Sequence, residues 1–139
     1  MLWRMTDEQQ LIFDWIDGLP VIVPNWGIKL PKMYRELNAK FFGNTLPPLS
    51  ASFVCEFCDM PRESAGIFID ATKAVAQSTA TVKIRPGIRI NSNLKCLSDH
   101  VRITLLHEMV HASGTDGHLE PFGTEIARLM LAGAYNNLL

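Results

Sequence analysis

Cysteine is scarce in this sequence, and its scarcity excludes two kinds of stabilised scaffold. Cys55, Cys58 and Cys96 are an odd number and cannot close a disulfide framework among themselves, so a reducing compartment is expected. Cys55-Glu-Phe-Cys58 has the spacing of half a zinc ribbon, but a four-cysteine site needs a second pair and only Cys96 remains. The plainer reading makes Cys55 a small apolar residue on the inward side of a strand. Long apolar runs are missing as well: no window approaches the ~18 uninterrupted apolar residues of a membrane span. The opening stretch MLWRMTDEQQLIFDWIDG has no basic start and is broken by Asp7, Glu8, Asp14 and Asp17. It does not read as a secretory signal, and a cytoplasmic location with no membrane partner is expected.

An excess of charge of either sign is missing too. Thirteen Lys and Arg face fourteen Asp and Glu, a net charge of −1, which gives no global pull toward nucleic acid or an anionic membrane. Locally the balance tips. Between Thr81 and Leu105, Lys83, Arg85, Arg89, Lys95 and Arg102 meet Asp99 alone. That stretch reads first as a solvated strand face and second as a weak DNA contact.

What is present suits one packed domain. The chain has 139 residues, 47% of them hydrophobic, and shows no repeat, low-complexity tract or linker. Thr6 and Gln9 form a capping pair ahead of Leu11, Ile12, Trp15 and Ile16, with Gly18 as the stop: a first helix. Trp3, Trp15 and Trp26 read as core residues. LPVIVPNWGIKLP follows as a loop, making residues 1–30 an extension. A second helix is predicted from Pro31 to Gly43, with Met33, Tyr34, Leu37 and Phe41 on its apolar side. Past a turn at Asn44 to Pro48, alternation at Ala51, Phe53, Cys55 and Phe57 predicts a strand. Gly66 to Asp70 predicts another. Thr79–Arg85 and Ile88–Asn91 predict a third, interrupted at Pro86-Gly87. Ser98 is placed as the cap of a helix over 99–113. Pro121 opens a last helix that sets Phe122, Ile126, Leu129 and Met130 on one side. The order implies an α+β domain with a small antiparallel sheet packed against helices.

The chemistry sits in TLLHEMVHASGTDGH. His107 and His111, four apart in a helical run, put two imidazoles one turn apart on one face, where both reach a single ion. Zinc suits imidazole nitrogens, and Glu108 beside the first histidine can take a proton from zinc-bound water. As ordinary helix residues, two histidines and a glutamate pointing one way amid Val101, Ile103, Leu105 and Leu106 would be costly without a metal. A catalytic site needs a third protein ligand. His118, reached through Gly114, Thr115, Asp116 and Gly117, is favoured, with Glu120 and Glu125 as competitors. The longer pattern HExxHxxGxxH would place its last histidine where Gly117 stands, one position early. His100 lies two turns before His107, roughly 10 Å along the axis, too far to share the ion.

Several segments together resemble the SprT-like zinc metallopeptidases, which include the Spartan-type proteases. Tyr34 to Pro47, with Asn38, Phe42-Gly43 and Leu46-Pro47, is similar to that family's opening helix and turn. Ala65-Gly66 and Ile88 to Leu94 resemble its strands. His107-Glu108-x-x-His111, then Gly117-His118 and Phe122, resemble its metal site. The likeness spans roughly residues 30 to 130. It implies a zincin-like fold with His107, His111 and His118 on zinc, Glu108 as general base, and a zinc endopeptidase acting on protein or peptide substrates. Leu119 departs from the glycine that often follows the family's third histidine. The cysteine-rich zinc ribbon and separate DNA-binding segments of many members have no counterpart here, so a DNA-repair role does not carry over. From the residues alone, the strand before the metal helix is a candidate for pairing an extended substrate by edge addition. The alternative is a zinc-stabilised module that binds nucleic acid or protein without turnover, motivated by Lys83 to Arg102.

Overall fold

A computed structural model describes residues 28–115 and 117–136. The expected first helix and the three tryptophans lie outside the described residues. Four α-helices and three strands are present among those described: α1 (Leu30–Phe41), β1 (Val54–Cys58), β2 (Gly66–Ile69), α2 (Ala71–Gln77), β3 (Gly87–Asn91), α3 (Ser98–Ala112) and α4 (Glu120–Leu131). This is an α+β fold.

α1 forms where Pro31, in its first turn, presets a helical φ, and where apolar residues recur at helical spacing. Leu30, Tyr34, Leu37 and Phe41 are buried. The helix stops before Gly43 and Asn44, which follow with φ of 58° and 60°. Asn38 then locks the turn: its buried amide donates to the Leu46 carbonyl and accepts from the Leu46 amide, each at 3.2 Å. Tyr34 adds a bond from its hydroxyl to the Pro47 carbonyl at 2.6 Å.

The sheet is mixed, which corrects the expected antiparallel arrangement. Its order is β1-β3-β2. β1 runs parallel to β3, with Val54 opposite Gly87 and Cys58 opposite Asn91. β2 runs antiparallel to β3, with Gly66 opposite Ile90 and Ile69 opposite Gly87. The reason is the path of the chain. After β1 it crosses to the far edge, makes β2 and α2, and returns to insert β3 between the two, a connection long enough for parallel pairing.

The expected strand over Thr79–Arg85 is absent. Hydroxyls there satisfy the backbone locally: Thr79 Oγ1 accepts from Val82 N at 2.9 Å, and Ser78 Oγ accepts from Ile84 N at 2.9 Å. Such bonds compete with a ladder and win here. α2, in turn, is a helix that the apolar pattern does not predict. Asp70 caps it, accepting from Lys73 N at 2.7 Å. Ser98 is the first residue of α3 rather than its cap, which is Leu97.

α3 is the central helix. Val101, Leu105, Leu106, Met109 and Val110 are all fully buried, packed among the sheet and α1 and α4. α4 buries Phe122 and Leu129, half-buries Ile126, and leaves Met130 half exposed, so its inward face is narrower than the apolar pattern suggests. No described helix is long and apolar enough to cross a membrane.

Candidate metal centre

The first part of the site is set by helix geometry. His107 and His111 stand one turn apart on α3. The helix ends at Ala112, and Gly114 and Gly117, with φ of 110° and 71°, turn the chain back. These left-handed conformations suit glycine and bring His118 over the end of α3.

The three Nε2 atoms converge. His118 Nε2 lies 3.0 Å from His107 Nε2 and 3.2 Å from His111 Nε2. A tetrahedral ion with nitrogen ligands at ~2.0–2.1 Å separates them by about 3.3 Å, so the spacing fits. His111 Nδ1 lies 2.7 Å from the Thr115 carbonyl oxygen. A carbonyl can only accept, so the proton sits on Nδ1 and the Nε2 lone pair faces the other two rings. One shared proton satisfies two of three converging nitrogens; a cation satisfies all three. These histidines can hold a metal ion. Phe122 forms the floor, its ring centroid 4.9 Å from each of the three imidazoles.

Glu108 is 5% exposed, with Oε1 3.8 Å from His107 Nε2. Its Oε2 is buried and has no hydrogen-bond partner among the described residues. Burial pushes its carboxyl up to about 7, against the downward pull of His111 and Lys73. His107 moves the other way, down to about 4, from burial first and then from His111 and His118.

These groups lie in a cleft of about 460 Å³, lined also by Gly66, Ile67 and Phe68 of β2 and by Asp70 and Lys73. Gly66 lets β2 approach α3 closely: a Cβ there would stand 2.8 Å from Thr104 Cγ2 and 3.1 Å from the Arg89 carbonyl. The strand before α3, β3, is central and already paired on both sides, so it is not the strand with a spare edge. β2 ends the sheet among the described residues. Asn91 N donates to the Ala65 carbonyl at 2.8 Å. Because peptide groups alternate along a strand, those of Gly66 and Phe68 then face the open side.

Glu120 and Glu125 are not brought to the three histidines. They line a separate, wider cleft of about 530 Å³ with Ser113, Thr115, Pro121 and Thr124. Glu125 accepts from Arg128 Nε at 2.9 Å. Of the basic stretch, Arg89 contacts Glu56 at 3.5 Å and donates to the Arg85 carbonyl at 2.8 Å. Arg102 donates to the Ala134 carbonyl at 3.0 Å, and Lys95 lies over the Phe57 ring. Lys83 and Arg85 are exposed. All three cysteines are free; Cys55 is buried and its thiol is pushed up to about 12, chiefly by burial.

Lys73, Phe68 and the Thr115 carbonyl join the site without any signal in the histidine motif. Asp70 ahead of an alanine-rich stretch was the signal for α2 and therefore for Lys73. No family model matches the chain, and neither a curated protein nor a solved structure matches it.

Proposed function

We propose that this chain is a zinc endopeptidase of the SprT-like kind, on a zincin-like domain, acting on protein or peptide substrates. One observation carries the reading: three imidazole nitrogens converge beside a buried carboxylate with an oxygen that has no partner among the described residues. A purely structural helix would leave neither arrangement. His107, His111 and His118 hold the ion, and their all-nitrogen set suits zinc. Zinc, when bound, supplies Lewis acidity, polarising a peptide carbonyl and acidifying water.

The protein's own part is proton transfer and alignment. Glu108 takes a proton from the attacking water as the new C–O bond forms, then gives it to the amine nitrogen as the C–N bond breaks. Burial raises its carboxyl to about 7 in the metal-free chain, and a cation held by the histidines would draw it back toward the ionised form that takes up the proton. Substrate backbone pairs along the open edge of β2, meeting the peptide groups of Gly66 and Phe68. Phe122 and the Thr115 carbonyl hold the imidazoles in place.

Zinc per chain, measured by native mass spectrometry on the wild type and His118→Ala, tests the centre. One zinc in the wild type and a large loss in the variant are expected. Equal zinc in both moves the third ligand off His118. Zinc without cleavage of any peptide favours the binding module without turnover, whose surface would be Lys83 and Arg85 with their basic neighbours.

A further inference from the structure

Lys73 is the one lysine or arginine among the described residues that line the histidine cleft. Its place follows from the chain path. β2 runs along the cleft, Asp70 ends it, and Lys73 falls in the first turn of α2. Asp70 Oδ1 accepts the Lys73 backbone amide at 2.7 Å, which caps the helix and fixes where the lysine emerges. The Lys73 side chain itself is exposed, and its stem is free to swing the ammonium over the cleft. Two carboxylates share the cleft with it: Asp70, whose Oδ1 is turned onto the helix start, and Glu108, which is buried; the long lysine stem is what can carry charge out to a bound peptide.

Lys73 and Glu108 line one cleft, so a peptide laid along the open edge of β2, advancing ~3.3 Å per residue, carries side chains a few places from the scissile bond past Lys73. The walls offered by Ile67 and Phe68 are apolar and do not discriminate charge. Lys73 does. We propose that Lys73 is a specificity-determining residue that selects peptides carrying an Asp or Glu side chain a few places from the scissile bond. The inference rests on the peptidase reading above.

The test uses the zinc-loaded full chain and matched peptides that differ only in Glu, Ala or Lys at each position around one candidate bond. Both kcat/KM and binding, by fluorescence anisotropy, are read. The wild type should favour Glu over Ala about fivefold at one position, as expected for an accessible ion pair, and the preference should shrink in high salt. Lys73→Met, which keeps most of the stem, should flatten it. Lys73→Glu should reverse it toward Lys peptides, through KM rather than kcat, with the melting temperature unchanged. Equal affinity of the wild type for Glu and Lys peptides, or the same preference in Lys73→Glu, overturns the inference. Peptides that bind but are never cut sink the peptidase reading alone, and anisotropy then decides for Lys73. Failure of every peptide to bind overturns the Lys73 assignment as well.

Discussion

Asn38 on α1 and Glu108 on α3 are buried to almost the same degree, 6% and 5% exposed, yet they are treated oppositely by their surroundings. Asn38 spends both ends of its amide on the backbone of Leu46. Glu108 keeps one oxygen with no partner among the described residues and holds the other 3.8 Å from a histidine nitrogen. A buried polar group with its bonds made fixes a turn and asks for nothing more. One left unpaired raises the energy of the fold and is kept where chemistry uses it. The α1 side of the domain is therefore built for folding, and the α3–α4 side gives up stability at Glu108, where the proposed chemistry would use it.

That contrast can be broken most sharply through activity. Glu108→Gln should retain zinc and lose about 10²–10⁴ in kcat on any peptide that the wild type cuts. Asn38→Leu, assayed below its melting temperature, should lose little. Comparable rates for Glu108→Gln and wild type would remove Glu108 from the chemistry. Stability reverses the ranking. Asn38→Leu strands a buried amide and a buried carbonyl of Leu46 and should cost about 2–4 kcal/mol, read by urea unfolding.

In metal-free protein Glu108→Gln should instead be stabilising, and increasingly so as pH rises. The folded carboxyl sits near 7 against an ordinary value near 4.5, so the native state holds the proton more tightly. The stability this contributes is complete below about pH 4.5 and is lost as pH climbs through 7. The gain of the glutamine variant should grow across that window to at most ~3 kcal/mol. A flat difference between pH 4.5 and 7.5 would show that the carboxyl is not disfavoured by burial. The smallest expected effect concerns the cleft wall. Gly66→Ala should cost about 1–3 kcal/mol, because its methyl meets Thr104 Cγ2 at 2.8 Å, and Thr104→Ser should recover part of it. No recovery would place the strain at the Arg89 carbonyl instead.

The parts of this site that were legible in the sequence are those that helix geometry alone decides. His107, Glu108 and His111 share a turn wherever the helix goes, so their spacing speaks directly. His118 was readable as a candidate through its glycines, but its convergence on the other two depends on φ values at Gly114 and Gly117 that no spacing fixes. α1 was legible because its apolar period and Pro31 agree. The stretch Thr79–Arg85 resembles a strand in sequence because its residues are β-prone, and is not one because nearby hydroxyls take its backbone bonds. Sheet order was beyond reach for a different reason: whether β3 lies beside or between its predecessors is decided by long-range packing, not by residues within any strand. Lys73 was hidden by the same gap, since it becomes part of the cleft only once β2 is the edge.

The loop between the second and third histidines has a mechanical consequence. An ion bridging His107 and His118 ties together residues eleven apart, a small ring whose closure removes little chain freedom. Meanwhile α3 is anchored by five fully buried apolar side chains, each contributing about 1.5–3 kcal/mol through burial. Capture of the ion therefore cinches one short arc and leaves the bulk of the domain nearly indifferent. A metal held at the proposed centre would then come and go with the apolar anchoring of α3 intact.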